Sequence, residues 1–303
     1  MKSALMAIAG ALLSYNLSAC IASGTDSNIQ TVLDAGGDAV LCASSTFALY
    51  NSVQYKFPNT QIYTEGLPTD VSRAVLRVWS GSLTTAVTAR HISGAQLRNV
   101  IVDGNRPALG YIRGNTPLAL VDFGGNASNQ VVSNIEAYEP RGWSTLYVNE
   151  GNISWNGSAW TGGCSGAQVT GNNVHSAGNI SGQKWADGIS FACHDSYVGY
   201  NTVTDATDGG LVVFGAPNTI IEYNTVSNYL STAFGGIAFD GLPYKRTITI
   251  NGTPTLVNDF SGTIVRYNTV DSANLIVGYA KTQHRIQLSL DCLRWNRIRR
   301  PPV

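Results

Sequence analysis

A short pattern of apolar and polar positions recurs along the chain and predicts stacked β-strands. In each copy a Val or Ile precedes an Asn by three positions, and a Val follows that Asn by two. The spacings between successive copies are 29, 23 and 44 residues. The first two spacings fit one coil of a solenoid, and the third fits a coil with an insertion. The repeated asparagines are Asn172, Asn201, Asn224 and Asn268, with weaker copies at Asn134 and Asn99.

The repeat predicts an all-β, single-stranded right-handed parallel β-helix over residues 23–280. One coil cannot bury its apolar face alone, so several coils must stack. We expect each repeated Asn to adopt the left-handed conformation at a sharp turn and to hydrogen-bond the same Asn one coil away. A second apolar series predicts that Phe191, Phe214 and Phe239 stack inside the solenoid.

Two cysteines occupy the same position in successive copies of the repeat. Cys164 opens one copy and Cys193 opens the next. Neighbouring strands lie roughly 4.8 Å apart, a separation that a disulfide accepts. We therefore predict a Cys164–Cys193 bridge.

The two ends of the chain differ from the repeat. Residues 1–22 read as a secretory signal peptide, with Lys2 before a short apolar run and small residues near the cleavage site. This predicts an extracellular protein, and a lipid anchor through Cys20 is the alternative. Residues 281–303 form a basic tail without the repeat, which we interpret as disordered or as a gene-model artefact. After the predicted signal peptide, five N-glycosylation sequons favour a secreted glycoprotein; they begin at Asn126, Asn152, Asn156, Asn179 and Asn251.

Composition narrows the possible partners. Charged residues make up 13% of the chain, and the formal net charge is zero. No basic surface for nucleic acid is therefore expected, and no stretch after the signal peptide is apolar enough to span a membrane. We expect a monomer.

Two Asp-Gly segments resemble the pectin-lyase-like β-helix superfamily, and within it the polygalacturonase group of glycoside hydrolases. They are Ala186-Asp187-Gly188-Ile189 and, one coil later, Thr207-Asp208-Gly209-Gly210. The chain departs from that group in having a single Asp208 where the group has two adjacent aspartates. The overall pattern also resembles uncharacterised secreted fungal β-helix proteins. The resemblance implies a β-helix fold and polysaccharide cleavage by Asp187 and Asp208.

Polar residues with catalytic potential fall on one connection of the repeat, the loop that leads into the Ile/Phe strand. Stacking of the coils should align them in one groove that binds a polysaccharide or oligosaccharide. The candidate catalytic residues are Asp187, Asp208 and Asp205. The candidate substrate-binding residues are Asp103, Arg106, Glu139, Arg141, Trp143, Lys184 and Trp185.

The predicted register places Asp187 and Asp208 one coil and two residues apart. This corresponds to roughly 8 Å, within the range of about 6.5–9.5 Å for inverting glycosidases. We assign Asp208 as the acid, its pKa raised by Asp205, and Asp187 as the base. Arg141 and Lys184 would hold an acidic sugar of a plant or fungal wall glycan. No cofactor is needed for this chemistry.

Two other functions fit the same residues. In a polysaccharide lyase, Asp187, Asp205 and Asp208 would hold Ca²⁺, and Arg141 or Lys184 would abstract a proton beside a uronate. In a non-catalytic carbohydrate-binding or wall protein, aromatic side chains would stack on sugars. The aromatic candidates are Trp143, Trp155, Trp160 and Trp185.

Overall fold

The computed structural model describes residues 20–112, 119–179, 181–182, 184–229, 235–240 and 243–272. Most of the predicted signal peptide and the whole basic tail lie outside the described residues. The described residues form two helices, α1 (Asp26–Asp34) and α2 (Arg106–Leu109). No described helix has the length and apolar character needed to cross a membrane.

The strands are short and lie parallel between coils. In chain order they are β1 (Gly24–Thr25), β2 (Ala39–Leu41), β3 (Thr46–Leu49), β4 (Val53–Gln54), β5 (Gln61–Thr64), β6 (Ala74–Val78), β7 (Val87–Thr88), β8 (Gln96–Arg98), β9 (Val100–Asp103), β10 (Val121–Gly124), β11 (Val131–Ser133), β12 (Glu136–Tyr138), β13 (Ser144–Asn149), β14 (Ile153–Trp155), β15 (Trp160–Gly162), β16 (Gln168–Thr170), β17 (Asn173–His175), β18 (Asp187–Phe191), β19 (Tyr197–Gly199), β20 (Thr202–Thr204), β21 (Gly209–Phe214), β22 (Ile220–Glu222), β23 (Thr225–Asn228), β24 (Gly235–Asp240), β25 (Lys245–Ile250), β26 (Thr253–Asn258), β27 (Ile264–Arg266) and β28 (Thr269–Ser272).

Three parallel sheets wind around one core. Sheet A consists of β2, β5, β8, β11, β16, β19, β22 and β27. Sheet B consists of β1, β3, β6, β9, β12, β17, β20, β23 and β28, and sheet C of β4, β7, β10, β13, β18, β21 and β24. Each full coil passes from A to B to C, so the chain is an all-β, single-stranded right-handed parallel β-helix, as predicted. Two antiparallel hairpins, β14–β15 and β25–β26, project from it.

The first apolar position of the repeat points into the core. On sheet A the strands align Leu97, Val132, Val169, Val198, Ile221 and Val265 in one row, and all six are buried. Full burial of such a side chain stabilises the fold by about 2 kcal/mol. Helix α1 covers the first coil with Ile29 and Leu33, which are both fully buried.

The asparagine ladder forms between sheets A and B, as predicted. The side-chain amide of Asn172 donates to Asn201 at 2.8 Å, Asn201 donates to Asn224 at 2.9 Å, and Asn224 donates to Asn268 at 2.9 Å. Each accepting oxygen also takes the backbone N–H of the preceding ladder residue. The bonds continue through all four coils, so each buried amide is satisfied by its neighbours.

The predicted conformation of the ladder asparagines is wrong. The left-handed residue at each turn is the one before the ladder position, and the ladder side chain points inward. The left-handed residues are Gly171, Tyr200, Tyr223 and Tyr267. Asn99 and Asn134 also have this left-handed conformation. They therefore lie one residue before the ladder position, which is occupied by Ile135 in the coil of Asn134.

The predicted phenylalanine stack is out of register by one residue. Phe191 pairs with Val213, and Val213 pairs with Phe239. Phe191 and Val213 are fully buried, whereas Phe214 pairs with Asp240 on the opposite face of the sheet. Because side chains alternate between faces, a one-residue error moves Phe214 out of the core.

Two disulfides join successive coils. The Cys164–Cys193 bridge is confirmed, with Cα atoms 4.8 Å apart. A second bridge joins Cys20 to Cys42, with a Cα separation of 4.9 Å. Ile21 also pairs with Leu41 in the first coil. A chain cut after Ala22 would lack these contacts, and a Cys20 held in this bridge would have no thiol for a lipid anchor. The cleavage site and the lipid anchor both stay predictions.

Candidate functional site

A buried carboxyl group lies at the start of β18 on sheet C. Asp187 is 5% exposed. Its Oδ1 accepts the backbone N–H of Gly209 at 3.0 Å, and its Oδ2 accepts the Ser190 hydroxyl at 2.8 Å. These bonds connect the carboxyl to its own strand and to the next coil, so its position is fixed from two sides.

The glycines after each aspartate are required by packing. A Cβ on Gly188 would lie 2.3 Å from Val203 Cγ1, and a Cβ on Gly210 would lie 2.2 Å from Val226 Cγ1. Both valines belong to sheet B. Gly188 and Gly210 therefore let sheet C approach sheet B closely at this level.

Asp208 lies on the coil next to Asp187, directly before β21. Its backbone N–H donates to the carbonyl of Ala186 at 3.1 Å, so the two aspartates are offset by one residue. The sequence-based offset of two residues relied on Phe214 and is wrong. With one coil and one residue between them, the two Cα atoms lie about 6 Å apart. This separation is shorter than the roughly 8 Å from which we predicted an inverting mechanism.

Burial changes the acidity of both carboxyl groups. Burial, with a smaller contribution from the charge of Asp208, raises the pKa of Asp187 to about 7, against the two hydrogen bonds that lower it. Burial also raises the pKa of Asp208. Among the described residues, neither carboxyl forms an ion pair. Asp187 is therefore a candidate proton donor near neutral pH, a role that the sequence analysis gave to Asp208.

The outer face of sheet C carries further polar side chains that the sequence analysis missed. Asp122, Tyr147 and Ser190 align on adjacent strands. Arg90 lies 2.6 Å from Asp122 and 5.8 Å from the Tyr147 ring centroid. Asp122, Tyr147 and Ser190 occupy outward-facing strand positions. Only the correct strand register would have predicted that these side chains are neighbours.

Trp143 lies on the same face, beside the carboxyl group. Its ring packs edge-on against Tyr147 at 4.9 Å, and its carbonyl accepts the Asp187 backbone N–H at 2.9 Å. The structure thus places Trp143, a predicted substrate-binding residue, close to Asp187.

Arg141 cannot hold an acidic sugar in this structure. It is 2% exposed, and its guanidinium donates to the carbonyls of five residues. The accepting residues are Ser80, Gly81, Leu83, Leu109 and Gly110. All five guanidinium N–H groups are therefore used. Arg141 connects two loops from inside, and the sequence could not show this because the loops meet only in the folded chain.

Four other predicted residues lie where strands of sheet B end. Asp103 pairs with Arg77 at 2.7 Å, and Arg106 donates to the carbonyl of Ser176 at 2.7 Å. Glu139 and Asp205 adopt left-handed backbone angles, with φ values of 54° and 56°. Asp205 Oδ1 accepts the Tyr229 backbone N–H at 2.8 Å. All four residues lie at or after the end of a sheet B strand, on the connection that leads into sheet C, and burial, with no contribution from Asp205, raises the pKa of Asp208.

Lys184 and Trp185 lie in the loop that enters β18. The backbone of Lys184 exchanges two hydrogen bonds with Asn179, and Trp185 is 40% exposed. In the part of the chain that the structure describes, Lys184 has no ion-pair partner. Both side chains thus remain candidates for contact with a ligand.

The structure does not assemble the calcium site that the lyase alternative requires. Among the described residues, no three His, Cys, Asp or Glu side chains form a group that could hold a metal ion. Asp205 lies at the end of sheet B, whereas Asp187 and Asp208 lie at sheet C.

Trp155 and Trp160 pack between the two hairpins. Trp160 Nε1 donates to Asp259 Oδ2 at 2.8 Å, and its ring lies 5.0 Å from Tyr244. Trp155 lies under the guanidinium of Arg246 at 5.0 Å. These contacts assign both tryptophans to packing, against the sugar-stacking hypothesis.

The three parallel sheets and the buried Asn ladder define a pectin-lyase-like β-helix fold. No protein-family model and no curated protein sequence matches the chain. The Dettilon tailspike protein (gp208) is similar in structure, with a TM-score of 0.50 and 13% identity over 80% of this chain and 46% of that one. This chain therefore spans less than half of the tailspike protein.

Two further structures show lower similarity. The alginate lyase from Paenibacillus sp. str. FPU-7 has a TM-score of 0.38 and 14% identity, over 86% of this chain and 95% of that one. The Agl-KA catalytic domain has a TM-score of 0.40 and 11% identity, over 82% and 50% of the two chains. At 13% identity the similarity to the tailspike protein shows the fold alone.

Proposed function

We propose that this chain is a secreted enzyme that cleaves a polysaccharide by glycoside hydrolysis, with Asp187 as the general acid. The observation that carries the proposal is the buried Asp187 carboxyl beside Asp208, with a pKa raised to about 7. A general acid works best when its pKa lies near the working pH. The two disulfides suit an oxidising compartment, and all five sequon asparagines are exposed.

In this proposal the two aspartates have different roles. Asp187 donates its proton to the glycosidic oxygen as the bond to the sugar breaks. Asp208, less buried and ionised, either activates water or attacks the anomeric carbon. The first role inverts the anomeric configuration and the second retains it. The configuration of the first product, read by proton NMR, distinguishes them.

The glycan is proposed to lie along the outer face of sheet C. Tyr147 and Trp143 offer aromatic surface, and Arg90 offers a cation that could contact an acidic sugar. Arg90 therefore takes the place that we assigned to Arg141. Lys184 and Trp185, on the loop before β18, are proposed to contact the substrate from the edge of the same face.

A panel of plant, fungal and bacterial polysaccharides tests the reaction class. New reducing ends without ultraviolet absorbance support hydrolysis. Absorbance from an unsaturated uronate supports the lyase alternative and contradicts the proposal. Binding without any product supports the carbohydrate-binding alternative and also contradicts it.

Variants test the site. Asp187→Asn should lower kcat by about 100-fold or more, the usual contribution of general acid catalysis. Asp208→Asn should also abolish turnover. Asp205→Asn is the matched control, because it changes a nearby carboxyl that lies at a turn and hydrogen-bonds the backbone there. This variant should keep full activity. Loss of activity in the control, or its retention in Asp187→Asn, would contradict the assignment.

A further inference from the structure

A chain of buried hydroxyl groups leads away from the Asp187 carboxyl across sheet C. Ser190 Oγ lies 2.8 Å from Asp187 Oδ2, and Ser144 Oγ lies 2.8 Å from Ser190 Oγ. Ser144 Oγ also lies 3.2 Å from the carbonyl oxygen of Leu146. Both serines are fully buried. Solvent therefore does not reach these hydroxyl groups, and each hydroxyl proton must be donated to another group within this hydroxyl chain.

The geometry determines where the acid proton resides. Asp187 Oδ1 accepts the Gly209 backbone N–H, so the proton of the neutral acid belongs on Oδ2, which faces Ser190. Each serine hydroxyl has one proton to donate and can accept another. The direction of the chain must therefore depend on whether Asp187 is protonated.

Two complete arrangements exist. When Asp187 is neutral, Oδ2–H donates to Ser190, Ser190 donates to Ser144, and Ser144 donates to the Leu146 carbonyl. When Asp187 is ionised, Ser144 donates to Ser190 and Ser190 donates to Oδ2. In both arrangements Oδ2 and Ser190 Oγ remain hydrogen-bonded, and only the bond to Leu146 is lost on ionisation.

We propose that Ser190 and Ser144 are positioning residues, which form a hydroxyl chain that reverses direction when Asp187 releases its proton. When Oδ2–H turns from Ser190 to the leaving oxygen of the substrate and gives up its proton, the reversal supplies a donated hydrogen bond to the carboxylate. No heavy atom has to move, and no other group has to supply or remove a proton. The catalytic use of this chain rests on the proposed function, but the reversal itself does not.

The groups that face Asp187 from neighbouring elements are few. Asp208, on the next coil, is the charged group that acts on it, and Gly209 and Ser190 supply the neutral hydrogen bonds. The hydroxyl of Thr145 donates to the backbone carbonyl of Asp187 at 3.3 Å and does not contact the carboxyl. Thr145 therefore offers a matched control in the same strand as Ser144.

The test is a carboxyl-carbon NMR titration of Asp187 in the full chain. Ser190→Ala should raise the pKa of Asp187 by about one unit, because a hydrogen bond to the charged form is lost. Ser144→Ala should raise it less, since charge-assisted bonds polarise one another along a chain. The double variant should titrate like Ser190→Ala alone, because Ser144 acts only through Ser190.

Controls separate this chain from general effects on folding. Ser190→Thr keeps the hydroxyl and should restore the wild-type value, and Thr145→Val should leave it unchanged. An unaltered pKa in Ser190→Ala would overturn the proposal. So would a Ser144→Ala shift that is absent or that adds fully to that of Ser190→Ala. If Ser190→Ala does not fold, the Ser144→Ala and Ser190→Thr titrations decide.

Activity gives a second readout. On a cleaved polysaccharide, the basic limb of the kcat/KM profile should move with the pKa of Asp187 in each variant. If wild-type protein cleaves no polysaccharide, the proposed function fails while the titration still tests the hydroxyl chain. If the titration shifts are absent but Asp187→Asn is inactive, the hydroxyl chain fails and the proposed function stands.

Discussion

The asparagine ladder and the aspartate pair are both buried between successive coils, but their surroundings have opposite effects. In the ladder, each amide donates to one neighbour and accepts from the other, so its burial costs little. At sheet C, Asp187 meets a second carboxyl group, Asp208, and burial itself disfavours its charge. The ladder stabilises the solenoid, whereas the aspartate pair destabilises it at neutral pH. We propose that a pair with such a cost marks a functional site.

The ladder is the place where a single substitution should cost the most stability. Asn201→Ala removes four hydrogen bonds, to Val169, to Asn224 and two from Asn172. At about 1 kcal/mol for each bond, we expect the free energy of unfolding to fall by about 4 kcal/mol. Denaturant unfolding measures this loss.

The neighbouring exposed Asn173 is the control for that substitution. It lies on the outer face of β17, where Asn173→Ala should change the free energy of unfolding by less than about 0.5 kcal/mol. Equal losses of stability at Asn201 and Asn173 would show that the ladder hydrogen bonds do not stabilise the fold.

At Asp187 we expect a substitution to raise the free energy of unfolding. Its pKa is about 7 in the folded chain, against an ordinary value of 3.8. An acid whose folded pKa is raised lowers stability as pH rises from the ordinary value to the folded value, and the loss is complete above about 7. Asp187→Asn should therefore gain about 4 kcal/mol at pH ~8 and almost nothing at pH ~4.

Unfolding free energies measured across that pH range check this gain. Asp34→Asn, at an exposed position of α1, is the control and should show no such trend. A variant at Asp187 that is less stable than wild type at pH ~8 would place Asp187 with the ladder, as a structural residue.

The smallest expected effect is that of an Asp208 substitution on the pKa of Asp187. Its charge contributes less than burial does to the raised pKa of Asp187. Asp208→Asn should therefore lower the pKa of Asp187 by only about half a unit. A fall to the ordinary value would mean that repulsion between the carboxyl groups, and not burial, sets the acidity of Asp187.

The fold was predictable because the same residue type recurs at the same place in every coil. Val169, Asn172 and Cys164 each have equivalents one coil later, and stacking those equivalents predicts the core row, the ladder and one disulfide. The left-handed corner was misplaced by one residue, because Asn at positions 99 and 134 has a different role from Asn in the later coils.

The candidate site was predictable only in part. Asp187 and Asp208 were found through the Asp-Gly segments, but their offset depended on the register of Phe214. Arg141 is an isolated arginine in a loop, and its sequence neighbours do not show that five distant carbonyls surround it. Arg90 was missed because nothing nearby in the sequence connects it with the aspartates.

The titration of Asp187 in the folded wild-type chain tests the central claim most directly. A carboxyl-carbon NMR titration should show an aspartate with a pKa near 7, and this signal should be absent from Asp187→Asn. If the Asp187 signal titrates below about pH 5, within the ordinary range for aspartate, the carboxyl is not a proton donor at neutral pH and the account is contradicted.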